Sequence, residues 1–193
     1  MSVWAIIPAK PAGKAKLRLA GVLDASARER LVAAMLDHVE DAVRAARGID
    51  HIAIIGPARG RHGDIIAIPD PGGGLNTALA AGVAAAAAAG ATRVVILAGD
   101  LPRLVARDIE ALAQTAGVGI APDRHGTGTN GLSLPLSAAG GFTFAYGTGS
   151  FAAHDAEAFR LGLDIEVIST PGLARDVDVP DDLRFAAGLW REQ

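Results

Sequence analysis

Three groups of charged residues, far apart in the chain, have the types and spacing to handle a polyphosphate together. The first is Pro8-Ala9-Lys10-Pro11-Ala12-Gly13-Lys14-Ala15-Lys16-Leu17-Arg18-Leu19, which places four cations, Lys10, Lys14, Lys16 and Arg18, within nine residues after an apolar run. Four positive charges facing a triphosphate would offset most of its charge, whereas water screens their mutual repulsion if the loop is merely solvated. The loop is not of the Walker A type, because Gly13-Lys14 is followed by Ala15 and not by Ser or Thr. The second group is Val94-Val95-Ile96-Leu97-Ala98-Gly99-Asp100-Leu101-Pro102, where an apolar run ends in a carboxylate. Magnesium takes a few carboxylates together with phosphate oxygens and water, so Asp100 at a strand tip is a metal-ligand candidate. Taken alone, such an Asp serves as a helix cap at least as often. The third is Asp176-Val177-Asp178-Val179-Pro180-Asp181-Asp182-Leu183. On an extended segment Asp176 and Asp178 point the same way and can share one cation, while Asp181 and Asp182 suit the start of the following helix.

Glycine-rich segments supply candidate anion contacts. Gly147-Thr148-Gly149-Ser150 precedes a helical pattern, and backbone N–H groups at a helix start form an anion site. Asp70-Pro71-Gly72-Gly73-Gly74-Leu75-Asn76-Thr77 also precedes a helix. There Gly73 and Gly74 allow a ligand close to the backbone, and Asn76, with a donor and an acceptor, could read a purine edge. The histidines have no nucleophile partner: His38 falls inside a helical pattern, His51 and His62 flank strands, and none accompanies a Ser in a nucleophile elbow. His154, one turn after Ser150, could reach an acceptor phosphate or cap the helix.

These residues are spaced along a strand–helix alternation that indicates an α/β fold with a mostly parallel sheet flanked by helices. Strands are expected at 3–7, 52–55, 65–68, 94–97, 118–121 and 165–168. Helices are expected from Ser26 as N-cap to Gly48, and at 75–89, 105–115, 150–161 and 180–190. The segment 123–149, with short strand candidates at 132–136 and 142–146, reads as a small substrate-binding insert. The 193 residues form one domain, 1–193, large enough to bury a core without staples. The basic loop follows a strand, which is where open α/β sheets bind ligands.

Composition excludes several functions. Cysteine is absent, which removes disulfides and thiolate chemistry and agrees with a cytoplasmic setting. Aromatic residues are 4% of the chain and the net charge is −3, so neither stacking surfaces nor a global field favours nucleic acid. No stretch is apolar and long enough for a membrane span.

The basic loop, Ala98-Gly99-Asp100-Leu101-Pro102, the run Asp123-Arg124-His125-Gly126-Thr127-Gly128-Thr129-Asn130, Tyr146-Gly147-Thr148-Gly149-Ser150-Phe151 with His154, and Asp176-Val177-Asp178 before Pro180-Asp181-Asp182-Leu183 come in an order that resembles the 2-phospho-L-lactate guanylyltransferase family. The resemblance covers nearly the whole chain. It implies a nucleotidyltransferase fold of the GT-A, Rossmann-like kind, with GTP and Mg2+ as co-substrate and metal. It implies an acceptor that is 2-phospho-L-lactate, phosphoenolpyruvate or 3-phospho-D-glycerate, in the synthesis of the deazaflavin coenzyme F420. By the same resemblance Asp100, Asp176 and Asp178 bind the metal, Thr129, Gly147 and Ser150 bind the acceptor, and the Gly73–Asn76 region holds base and ribose. Lys10, Lys14 and Asp100 then act on the phosphates, with Lys16 and Arg18 on the nucleotide. A homodimer and hand-over of the product to the next enzyme are compatible with this picture. Two positions depart from the family pattern: Val179 stands where Thr is frequent, and Asn130-Gly131 replaces a bulkier pair. A molybdopterin or sugar-phosphate nucleotidyltransferase of the same fold, or a silent nucleotide-binding domain, are the rival readings. The Thr-Gly-Thr-Asn and Gly-Thr-Gly-Ser segments disfavour the first, and three aspartates at two strand ends disfavour the second.

Overall fold

The alternation of apolar runs and helical patterns folds as one seven-stranded sheet with helices on both faces. The computed structural model describes residues 2–9, 16–57, 63–139 and 141–189. The strands are β1 Val3–Pro8, β2 His51–Ile55, β3 Ile65–Ile68, β4 Arg93–Leu97, β5 Val118–Pro122, β6 Thr129–Pro135 and β7 Ile165–Val167. The helices are α1 Ala25–Ala45, α2 Leu75–Ala88, α3 Ala106–Ala113, α4 Leu136–Ala139, α5 Ser150–Arg160 and α6 Pro171–Ala174. Strand order is β3-β2-β1-β4-β6-β5-β7, and every pairing is parallel except those of β6 with β4 and β5.

Successive residues of a strand face opposite sides of the sheet, so the central strands feed two cores. Trp4 and Ile6 of β1 and Val94 and Ile96 of β4 pack with Leu79 and Val83 of α2. Ala5, Ile7, Val95 and Leu97 pack with α1 and α3 through Leu36, Val39, Ile109 and Leu112. A third, smaller cluster matters more for function. Leu19, Leu31, Met35, Val177 and Ala186 close over one another against α1. Leu19 belongs to a 3-10 turn, Leu17–Leu19, directly after Lys16, and Val177 stands between Asp176 and Asp178. Fully burying a Val or Leu side chain is worth about 1.5–3 kcal/mol, so this cluster anchors both charged segments to one helix.

Several sequence expectations are corrected. The N-cap of α1 is Asp24, not Ser26: its carboxylate accepts the Ala27 N–H at 2.7 Å, and an ionised oxygen is the stronger acceptor. Ser26 instead accepts from Arg30. The helix ends at Ala45, ahead of Gly48, which takes a left-handed φ of 82° in the following turn. The strand expected at 132–136 is part of β6, which lies inside the main sheet between β4 and β5. The run 142–146 forms no strand. In place of a helix over 180–190 there is a 3-10 turn, Pro180–Phe185. Gly188 adopts a φ of 102°, which interrupts any helix there, and Trp190 lies outside the described residues. Helices α4 and α6 are too short to leave a periodic signal.

Helix α6 delivers the chain to Asp176 and packs closely on α3. A Cβ at Gly172 would collide with the Asp108 carboxylate and come within 2.8 Å of the Arg103 carbonyl oxygen. Asp108 is itself committed, accepting the Val105 N–H at the start of α3. The Gly172→Ala variant is therefore expected to lose about 1–3 kcal/mol of stability, read as a fall of several degrees in Tm. An unchanged Tm would mean that this junction is not tightly packed.

Candidate active site

The sheet directs the charged groups to a common place. Parallel β1 and β4 are neighbours, so their C-terminal ends open on the same edge, and antiparallel β6 brings its N-terminal end there too. At that edge lies a cavity of about 750 Å³. Its wall includes Lys16 and Arg18 after β1, Asp100 after β4, Thr129 on β6, and Asp176 and Asp178. Gly147, Gly149 and Ser150 complete it from the start of α5.

Lys16 is the centre of the charged side. Its side chain is 10% exposed, and its ammonium donates to Asp100 and, at 2.9 Å, to Asp178 Oδ1. Burial opposes its charge, but the two carboxylates outweigh that and hold its pKa above the ordinary lysine value. Its backbone is left-handed, φ 56°, a costly conformation for a side chain other than Gly or Asn. Arg18 lies 3.7 Å from Asp178. Asp176 is held from behind: Asn130 Nδ2 is 3.5 Å and Arg124 Nη1 3.8 Å from its Oδ1. Burial first, then the negative charges of Asp100 and Asp178, push its pKa up. Val177 is fully buried in the third cluster, so its two neighbours face the cavity as their spacing implies.

The three aspartates are hard oxygen donors with excess negative charge, which suits a divalent ion. Among the described residues, however, no three His, Asp or Glu side chains are gathered into a ligating set. The position between Asp100 and Asp178 is taken by the Lys16 ammonium.

On the opposite wall, Gly149 in a left-handed conformation, φ 75°, starts α5, and Ser150 is buried. The Ser150 N–H is bonded to the Gly147 carbonyl and the Phe151 N–H to the Thr127 carbonyl. The free backbone donors expected across 147–150 are thus reduced at the helix end itself. His154 does not reach the cavity. It is fully buried behind Thr129, whose Oγ1 lies 3.0 Å from His154 Nδ1. Burial lowers its pKa to about 4, the nearby Glu157 opposing only in part.

Other expected residues fall elsewhere. Lys10 and Lys14 lie outside the described residues, as does His62. Gly73 and Gly74 are exposed with φ of 84° and 93° before α2. Asn76 is not free to read a base: its amide oxygen accepts the Tyr146 N–H at 2.8 Å and its nitrogen donates to the Tyr146 carbonyl at 3.3 Å. It fastens the 142–149 segment to α2. His38 bonds the Leu104 carbonyl, and His51 packs on Trp4.

Comparison with known proteins shows the family of the chain. Residues 3–186 match the family described as Guanylyl transferase CofC like. The chain belongs to this family. It is accordingly a nucleotidyltransferase. A phosphoenolpyruvate guanylyltransferase of Conexibacter woesei is 44% identical over 95% of this chain and 86% of its own length. One from Sphaerobacter thermophilus is 39% identical over 97% and 94%. Among solved structures, a nucleotidyl transferase from Methanothermobacter superposes with a TM-score of 0.68 at 18% identity, covering 97% of both chains. A Mycobacterium tuberculosis protein in complex with manganese does so with a TM-score of 0.55 at 17% identity, covering 96% and 98%. At such identities these two structures speak for the shared fold. No helix among the described residues is long and apolar enough to cross a membrane.

Within this guanylyltransferase family member, two site-building residues escape a sequence reading. Arg124 pairs with Asp182 at 2.7 Å and contacts Asp176, tying the β5–β6 loop to the aspartate segment. Asp182 accepts the N–H groups of Asp178 and Val179 at 2.9 and 3.0 Å, which orients the backbone carrying Asp178. The acids at 181 and 182 signal a helix start, and nothing in their spacing reveals the second task.

Two outcomes follow. Because burial and two like charges disfavour ionised Asp176 in the folded protein, Asp176→Asn should raise the Tm of the metal-free protein at pH 7; a lowered Tm would show that its contacts to Asn130 and Arg124 dominate. His154 stays neutral in the fold down to about 4, whereas an unfolded histidine binds its proton near 6.5. Its depressed pKa thus costs stability as pH falls from 6.5 towards 4, and nothing above that window. Scanning Tm from pH 7 to pH 5 should show a smaller loss in His154→Asn than in the unaltered protein, and parallel losses would contradict the burial.

Proposed function

We propose that the protein transfers GMP from GTP to phosphoenolpyruvate, with release of pyrophosphate and with Mg2+ as the metal, in the cytoplasm as a step of coenzyme F420 synthesis. The observation that carries this reading is that Lys16, Arg18 and three aspartates line one cavity together with Thr129, Gly147 and Ser150. The names of the relatives favour phosphoenolpyruvate over 2-phospho-L-lactate and 3-phospho-D-glycerate, which bear the same phosphate and carboxylate.

The chemistry needs little beyond charge and alignment. An oxygen of the acceptor phosphate, already ionised at pH 7, attacks the α-phosphorus of GTP. The bond from that phosphorus to the bridging oxygen breaks in line, and the electron pair leaves with pyrophosphate. The product is a phosphoanhydride joining GMP to the acid. No general base is required, in keeping with a buried His154. Lys16 and Arg18 approach the triphosphate from the β1 side; Lys10 and Lys14, outside the described residues, are assigned to the phosphates by their place in the sequence alone. Thr129, Ser150 and the Gly147 backbone orient the acceptor. A divalent ion held by Asp100, Asp176 and Asp178 would displace the Lys16 ammonium from between Asp100 and Asp178 and would supply positive charge to the phosphates. The Gly73–Gly74 turn lies near Leu75 on the cavity wall and is the proposed neighbour of the nucleoside. Support for a divalent ion comes from the carboxylate chemistry and from the manganese complex of a protein with this fold.

Incubation with GTP, MgCl2 and each of the three acids should release pyrophosphate fastest with phosphoenolpyruvate. Asp178→Asn should lower kcat by about 10²–10³-fold with Tm little changed, as for loss of one electrostatic contact to the transition state. Silence of the unaltered protein with all three acids would refute the assignment, and an undiminished Asp178→Asn would remove that residue from the reaction.

A further inference from the structure

We propose that His154 is a positioning residue that fixes the Thr129 hydroxyl as a hydrogen-bond donor towards the acceptor anion. This rests on the reading of Thr129 as an acceptor-binding residue.

The argument is a count of hydrogens. The Ala145 N–H donates to His154 Nε2 at 3.0 Å, so Nε2 carries no proton. A neutral imidazole has one N–H, which must then be on Nδ1, 3.0 Å from Thr129 Oγ1. Burial keeps the ring neutral. Thr129 therefore accepts from His154, and its own single hydrogen is left to point into the cavity that it lines. The opposite tautomer would reverse the outcome: Thr129 would donate to Nδ1 and turn lone pairs towards the ligand, repelling a phosphate or carboxylate oxygen.

The ring is held in this orientation. Turning it over would exchange both nitrogens for carbons and lose both bonds. Tyr146 meets its face edge-on at 4.7 Å between centroids, and Phe142 lies at 5.9 Å. Ala145 belongs to the segment that Asn76 clamps through Tyr146, so the peptide that sets the tautomer is itself fastened. The wall thus presents a donor at that point, which an ionised phosphate or carboxylate oxygen accepts more strongly than a neutral oxygen does.

Two measurements test this. In protein with 15N-labelled histidine, the ring shifts of His154 at pH 7 should report a protonated Nδ1 and an unprotonated Nε2; the reverse would overturn the proposal whatever the activity. In kinetics, Thr129→Val and His154→Gln should each raise KM for phosphoenolpyruvate about 10- to 100-fold, as for a lost hydrogen bond to a charged group, with KM for GTP little moved. His154→Asn, whose amide N–H can sit near the Nδ1 position, should recover part of the loss. The double variant Thr129→Val/His154→Gln should be no worse than Thr129→Val alone, since both act through one hydroxyl. Additive effects, an equal rise in both KM values, or an unaffected Thr129→Val would overturn it. Inactivity of the unaltered protein would instead remove the proposed reaction, leaving the tautomer to be settled by the ring shifts.

Discussion

Three carboxylates directed at one cavity repel each other, and the structure of the site is a response to that repulsion. Asp100, Asp176 and Asp178 come from two distant parts of the chain and meet where β1 and β4 end. Lys16 answers two of them directly, and Arg124 and Asn130 answer the third from the protein side. The arrangement is balanced unevenly. Burial and the charges of Asp100 and Asp178 raise the Asp176 pKa in spite of its supporting contacts, so added positive charge in the cavity would be favoured. Lys16, paired with Asp100 and Asp178, supplies part of that positive charge.

The fold makes this balance possible by separating support from chemistry. Apolar residues do the anchoring: Leu19 beside the lysine and Val177 between the aspartates enter the same small cluster on α1. Polar residues then set directions. Asp182 takes the N–H groups of Asp178 and Val179 and pairs with Arg124, which reaches on to Asp176. A chain of contacts therefore joins the two carboxylates through Asp182 and Arg124, neither of which is part of the cavity wall. The opposite wall repeats the scheme, with Asn76 clamping Tyr146 behind the glycine turn.

Much of this was legible from residue order because short apolar runs and charged strand ends obey local rules. The strand Ile65–Ile68 and the start of α5 at Ser150 fall where their patterns place them, and the alternating Asp176-Val177-Asp178 does face one way. What stayed hidden depends on contacts between remote residues. Strand β6 is central and starts at Thr129, ahead of the short strand expected at 132–136, because Asn130 and Gly131 carry no apolar signal; a residue larger than Gly131 would press on Leu112. Asn76 meets Tyr146 seventy positions away. His154 has the spacing of a cavity-lining residue, yet α5 turns it inward against Thr129 and Phe142. No pattern along the chain distinguishes an amide that reads a base from one that fastens a loop.

The reversed direction of β6 has a wider meaning. Because it runs against its neighbours, β5 and β6 form a hairpin whose bend, residues 123–128, hangs over the cavity from the side away from β1. Asp123 organises that bend internally, accepting the N–H groups of His125 and Thr127. Lengthening or recasting it would reshape that side of the cavity while leaving the ends of β1 and β4 intact. Chains built on this sheet can therefore differ in what the cavity admits without any change to the strand ends that carry its charges.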